Sequence, residues 1–167
     1  ILKVLIVRKI LRVCSSMKSE YQILQQQMMS LLAGESNLIA NLANASALLK
    51  EYLPDINWAG FYLLQNKELI LGPFQGKPAC VHIPLGSGVC GTSILLKKTL
   101  LVPDVHAFTG HIACDSASNS EIVIPLYNYH KEIIGVLDID STLYNRFTLT
   151  DQTELEEIVQ IIGNSIL

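Results

Sequence analysis

A change of period at Pro54 constrains this chain more than any other feature. Before it, Tyr21, Leu24, Met28 and Leu31 recur at three- and four-residue steps, predicting a helix over 17–33 that Gly34 stops. Leu38, Leu42, Ala45, Leu49 and Tyr52 repeat the pattern, so a second helix is expected from Ser36, its N-cap, to Tyr52. Pro54 forbids continuation because it lacks the N–H that the helix ladder needs. Beyond it the pattern turns to strands. Residues 56–64 (INWAGFYLL) are rich in aromatic and β-branched side chains, and Gln65-Asn66-Lys67 reads as a hairpin turn into a second strand over 68–74. Strands are also expected over 79–84, 100–102, 121–127 and 131–140, the last two joined around Asn128-Tyr129-His130. The Gly/Ser-rich run GSGVCGTS leads into a short helix over 92–98. Thr150 is expected to cap a final helix, with Asp151 and Glu154 near its positive end and Leu155, Ile158, Val159 and Ile162 facing inward.

Helix, helix, hairpin-linked strands, helix is an α+β plan: an antiparallel sheet with the N- and C-terminal helices on one face. The opposite face must then be closed by the short helix and by residues 103–120, PDVHAFTGHIACDSASNS, in which no period survives. A structureless stretch of that length in a compact domain is usually functional when ordered. A ligand pocket between sheet and loop follows.

With 167 residues, half of them hydrophobic and 16% charged, the chain has the material for one core. Its net charge of −3 offers phosphate backbones no attraction, so nucleic acid is not an expected partner. No apolar stretch approaches the roughly 20 residues of a membrane span. The first thirteen residues hold nine apolar and four basic side chains and no acid. Lys3, Arg8, Lys9 and Arg12 interrupt any signal-peptide core. A basic amphipathic helix on a membrane surface is one reading of this stretch. The other is an N-terminal extension over 1–16 whose origin is open, ahead of a single domain over 17–167 with Met17 at its start.

Four cysteines without a secretion signal point to reduced thiols in a reducing, cytoplasmic setting. Cys14 lies in the N-terminal stretch, while Cys80, Cys90 and Cys114 crowd into the loop-rich middle. A free cysteine is ordinarily a small buried hydrophobe. Three within one section weaken that explanation. An unperturbed thiol is only about 3% thiolate at pH 7, so a nucleophile needs local help. Cys90 has it at the start of the short helix, and local physics ranks it first. Cys114 has Asp115 beside it, opposed by His111 or loop N–H groups. Cys80, His82, Cys90, His106, His111 and Cys114 are six possible zinc ligands, but none forms a C-x2-C or H-x3-H pair, so no metal is expected.

Asp138 and Asp140 share one face of a strand at period two, and Glu121 opens the strand that pairs with it. Converging there, the carboxyls suit an ammonium group or a proton held near neutral pH. The plainer alternative is an exposed polar face with Ile139 inward. Trp58 and Tyr62 share a face with Gly60 between them, leaving a gap suited to a ligand, or are simply core aromatics.

The motifs NWAGFYL (57–63), LGPFQGKPAC (71–80), IPLGSGVCGT (83–92), LVPDVHAFTGHIACDSASNSEIVIPL (101–126) and GVLDIDS (135–141) together resemble the free methionine-(R)-sulfoxide reductases, a GAF-domain family. The resemblance runs from about residue 20 to the C-terminus, and ordinary GAF sensor domains do not share these motifs. It implies a GAF-like sheet and an enzyme that reduces the R-sulfoxide of free methionine. By resemblance Cys114 is the nucleophile, Cys80 a resolving partner and Cys90 a third, alternative redox thiol, and the sequence leaves open which of Cys80 and Cys90 answers Cys114. A sulfenic acid on the first would close to a disulfide that reduced thioredoxin reopens, with no bound cofactor. Glu121, Asp138 and Asp140 match the family's acidic cluster around the sulfoxide and amino group, one of them giving a proton to the departing oxygen. Trp58 and Tyr62 match the wall for the substrate's methyl end, and backbone N–H groups of Ile112, Ala113 and Cys114 would receive its carboxylate. A small molecule enclosed on all sides and thioredoxin are the partners implied. A GAF-type helix face is suited to a homodimer.

Overall fold

The computed structural model describes residues 20–110 and 116–166. The expected extension over 1–16, with Cys14, lies outside the described residues, as do Ile112, Ala113 and Cys114. The first described element is a helix over 20–32 (α1). Gly34 follows at φ +77°, a left-handed stop. Next come α2 (Leu38–Tyr52), β1 (Trp58–Gln65), β2 (Glu68–Gln75), β3 (His82–Pro84), α3 (Gly88–Leu96), β4 (Leu100–Val102), β5 (Ser120–Tyr127), β6 (Ile133–Ser141) and α4 (Leu149–Asn164). The strands form one sheet in the order β3-β2-β1-β6-β5-β4, and every neighbouring pair is antiparallel. The β1–β2 and β5–β6 pairs are hairpins, while the β3-to-β4 connection, carrying α3, crosses from one edge of the sheet to the other.

Strand alternation divides the core in two. Ala59 and Phe61 of β1, Ile122, Ile124 and Leu126 of β5, and Leu137 and Ile139 of β6 pack with α1, α2 and α4. Trp58, Tyr62, Val123 and Val136 point the other way, against Val89, Cys90 and Ile94 of α3. The predicted α+β arrangement, with terminal helices on one face, is thus the arrangement found. The β1–β2 hairpin closes through Asn66 and Lys67, both at positive φ, which suits the twist of a two-residue hairpin loop.

Several boundaries differ from expectation. Asn37, not Ser36, caps α2, its side-chain oxygen accepting the Ala40 N–H at 3.0 Å. On α1 the inward step after Met28 goes to Leu32, and Leu31 is exposed. The strand expected over 79–84 holds only His82–Pro84, so Ala79 and Cys80 precede it as irregular backbone. The short helix starts at Gly88 rather than 92, and its Gly91 serves a close approach, since a Cβ there would overlap the Pro84 carbonyl. Thr148, not Thr150, caps α4. A capping box needs its carboxylate three residues on, and Asp151 stands there, accepting the Thr148 N–H at 2.7 Å while its own N–H donates to Thr148 Oγ1. The long loop contains a short 3-10 turn, Val105–Ala107, capped by Asp104.

Asp151 also ties α4 to α1. Tyr21 donates its hydroxyl to Asp151 Oδ1 at 2.6 Å, and Arg146 Nη1 lies 3.4 Å from the same oxygen. Burial alone would raise this carboxyl. Hydrogen bonds from Thr148 and Tyr21, with the Arg146 charge, hold it below its usual value instead. No described helix is long and apolar enough to cross a membrane.

Gly163 sits in the last turns of α4 where a Cβ would overlap the Tyr127 carbonyl oxygen. An interior helical glycine ordinarily gains stability on becoming alanine. Here Gly163→Ala is expected to lower the unfolding free energy by about 1–3 kcal/mol, the cost of overpacking, as read by urea denaturation.

Candidate active site

The register of β6 between its two neighbours builds the site. Trp58 lies opposite Asp140 and Gly60 opposite Asp138 on one side, while Glu121 lies opposite Asp140 and Val123 opposite Asp138 on the other. Trp58, Tyr62, Glu121, Asp138 and Asp140 therefore share one face of three adjacent strands, away from the helices. Ile139 is inward on the helix side, but Asp138 is only 6% exposed, so the exposed-polar-face alternative for the acidic strand fails. Cys90 reaches the same place from the first turn of α3. Its Sγ is 3.9 Å from Glu121 Oε1. Among the described residues Cys90, Glu121 and Asp138, all buried, have ligand atoms within 4.8 Å of one another, close enough to share a divalent ion. Among the described residues neither histidine of the candidate set joins them: His82 is exposed beside Glu68, and His106 is exposed against Asn119.

Burial dominates the chemistry of this cluster. Glu121 is pushed well above the carboxylate range by burial, then by the charges of Asp138 and Asp140. Asp138 is pushed up to about 6 by burial, with hydrogen bonds to Cys90 and Glu121 acting against the rise. Cys90 goes well above the usual thiol value, again first by burial and then by Asp138 and Glu121. This corrects the expectation that a helix start makes Cys90 the readiest thiolate. A helix terminus contributes on the order of 1 kcal/mol, less than desolvation beside two carboxyls. The result is a buried cluster that holds protons. Asp138 Oδ1 is buried without a hydrogen-bond partner among the described residues, which leaves it able to accept one.

Trp58 and Tyr62 form a wall, with ring centroids 5.9 Å apart and planes at 25°. Phe74 stacks on the other side of Trp58 at 5.2 Å. The gap expected at Gly60 is not open: a Cβ there would overlap both Phe74 and the Trp58 ring, so the glycine admits the indole rather than a ligand. Sequence reasoning missed a second job of this wall. Residues 76–81 form a strap along the tips of the two rings. Trp58 Nε1 donates to the Lys77 carbonyl at 3.1 Å, and the Tyr62 hydroxyl donates to the Cys80 carbonyl at 3.0 Å. Gly76, at φ +145°, is the one available signal, since a Cβ there would overlap the indole. Cys80 is disulfide-bonded, not the reduced thiol that composition suggested, and Cys90 is free.

Residues 42–166 match the GAF domain family. The chain is 58% identical over 139 residues to the free methionine-R-sulfoxide reductase of Escherichia coli K12, covering 83% of this chain and 84% of that protein. The chain belongs to the free methionine-R-sulfoxide reductases. The reduced form of the fRMsr of Staphylococcus aureus superimposes with a TM-score of 0.84 at 55% identity, over 87% of this chain and 94% of that one. The complex of the same Staphylococcus protein with its substrate gives 0.83 at 54% identity, over the same shares. In this GAF-domain oxidoreductase Trp58, Tyr62, Glu121, Asp138 and Asp140 share one face of the sheet, beside Cys90.

The native reductase keeps a proton on Asp138 to higher pH than the unfolded chain does. Between about pH 4 and 6 unfolding therefore releases a proton, and stability falls as pH rises. The fall attributable to Asp138 is about 2–3 kcal/mol across that window. Asp138→Asn is expected to flatten it, as measured by denaturant unfolding at pH 4.5 and 7.5.

Proposed function

We propose that this reductase converts free L-methionine-(R)-sulfoxide to L-methionine, with Cys114 as nucleophile and Cys80 as resolving cysteine. The unpartnered, buried Asp138 Oδ1 beside a proton-holding Glu121 carries this reading, since one accepts from an ammonium group and the other supplies a proton. The substrate's methyl end meets Trp58 and Tyr62, its amino group meets Asp138 and Asp140, and its carboxylate meets the N–H groups of Ile112, Ala113 and Cys114. The Cys114 thiolate attacks the sulfoxide sulfur, Glu121 protonates the sulfoxide oxygen, and methionine leaves as Cys114 becomes a sulfenic acid. Cys80 closes the disulfide with loss of water. Reduced thioredoxin then takes the disulfide by exchange, restoring both thiols.

Cys80 being bonded while Cys90 is free supports Cys80 over Cys90 as the resolving thiol. Free methionine and thioredoxin place the work in the cytoplasm. Ile23 and Leu31 of α1 are exposed and apolar and line one groove with Leu48 of α2, which supports a homodimer through this helix face, to be read by light scattering.

A coupled assay with thioredoxin, thioredoxin reductase and NADPH, offering each sulfoxide epimer separately, tests the function. NADPH consumption is expected with the R epimer alone and is lost in Cys114→Ser. Equal turnover of both epimers, or full activity in Cys114→Ser, sinks the proposal. Glu121→Gln is expected to lower kcat by about 10²–10³-fold in the same assay, the usual worth of a positioned proton donor. Cys80→Ser is expected to accumulate sulfenic acid after one turnover, detected by mass as a dimedone adduct, while Cys90→Ser still forms a disulfide.

A further inference from the structure

We infer that the Tyr62 hydroxyl is a positioning residue for Cys80, setting where the resolving thiol stands through the Cys80 carbonyl. Cys80 lies outside the sheet ladder, because β3 begins only at His82. What fixes the strap is a row of hydrogen bonds to its carbonyls: Trp58 Nε1 to Lys77, Tyr62 Oη to Cys80, and the Leu71 N–H to Val81 at 2.9 Å. The bond from Tyr62 falls on the cysteine itself. Tyr62 is 1% exposed, on the central strand β1 and stacked on Trp58, so it cannot follow the strap if the strap moves. Burial first, and Asp138 second, hold the phenol well above its usual value, so it remains a donor across neutral pH. A buried wall facing the substrate thus also places the second thiol.

This inference rests on the proposed roles of Cys114 and Cys80. The step concerned is the attack of the Cys80 sulfur on the sulfenic sulfur of Cys114. The S–S bond forms as the S–O bond breaks, and the departing hydroxide takes up the proton that Cys80 released. Both sulfurs end one-electron equivalents apart from where they began, the sulfenic sulfur reduced and the thiol oxidised, with no outside oxidant. Its rate and equilibrium depend on the effective concentration of Cys80 at Cys114, which anchoring raises.

Tyr62→Phe keeps the ring and removes only the anchor. Equilibration of the variant with glutathione redox buffers is expected to show the Cys80 disulfide less favoured by up to about tenfold, the worth of one hydrogen bond. After one equivalent of R-sulfoxide, the ratio of dimedone-trapped sulfenic acid to disulfide is expected to rise in parallel. That ratio is independent of how fast the sulfenic acid forms. Phe74→Leu removes ring packing on Trp58 without touching a strap carbonyl, and is expected to lower Tm while leaving the glutathione equilibrium as in the parent. An unchanged equilibrium in Tyr62→Phe, or an equal shift in Phe74→Leu, overturns the anchor. Failure of the parent enzyme to release methionine overturns the proposed function instead, and the glutathione titration, which needs no substrate, still decides the anchor.

Discussion

The pairing of β1 with β6 is the contact on which both halves of this molecule depend. It places Trp58 opposite Asp140 and Gly60 opposite Asp138, and it sends Phe61, Leu137 and Ile139 into the helix-side core. Strand side chains alternate, so a slip of one residue would carry the carboxyls into that apolar core and the leucine and isoleucine into the pocket. Both errors are costly, which pins the register from two sides. Gly135 adds a steric lock, because a Cβ there would overlap the Tyr62 carbonyl. The fold and the site are therefore specified by the same strand pair.

Around that pair the pocket concentrates acid groups without a described cation to answer them. The groups raising Cys90 are burial, Asp138, Glu121 and Asp140, and no basic side chain stands among them. Proteins tolerate such a cluster by keeping protons on it, and burial here does so. A cationic amino group is the natural complement to what remains, and a substrate that also needs a proton finds both in one place. The aromatic wall, by contrast, offers no charge at all, so the two ends of a small zwitterionic molecule are distinguished.

Much of this was legible before any coordinates. The helix and strand periods are carried by apolar side chains, and their faces are those found, from Leu24 and Met28 on α1 to Leu155 and Ile158 on α4, except that Leu31 and Tyr52 are exposed. Caps were placed one or two residues off, at Ser36 for Asn37 and at Thr150 for Thr148, because several adjacent residues have capping chemistry and only the geometry selects one. The acidic face was readable from period two, yet not its burial, which depends on α3 arriving from elsewhere in the chain. Cys90 was misjudged for the same reason: a helix start is local, but desolvation is a property of the whole packed pocket. Only Gly76 hints at the strap, because its anchors all end on backbone carbonyls, which carry no signature in sequence. The places of Ile112, Ala113 and Cys114 lie outside the described residues.

The buried, proton-bearing state of Cys90 has a consequence for survival rather than for turnover. Peroxides attack thiolates, not thiols, and they must reach the sulfur to do so. A cysteine at 4% exposure, facing carboxyls that oppose its ionisation, is doubly withheld from them. An enzyme whose task arises when oxidants are abundant risks losing its own sulfur chemistry to irreversible sulfinic and sulfonic acids. The carboxyls of Asp138, Glu121 and Asp140 keep this one thiol chemically quiet, so it endures conditions in which methionine itself is oxidised.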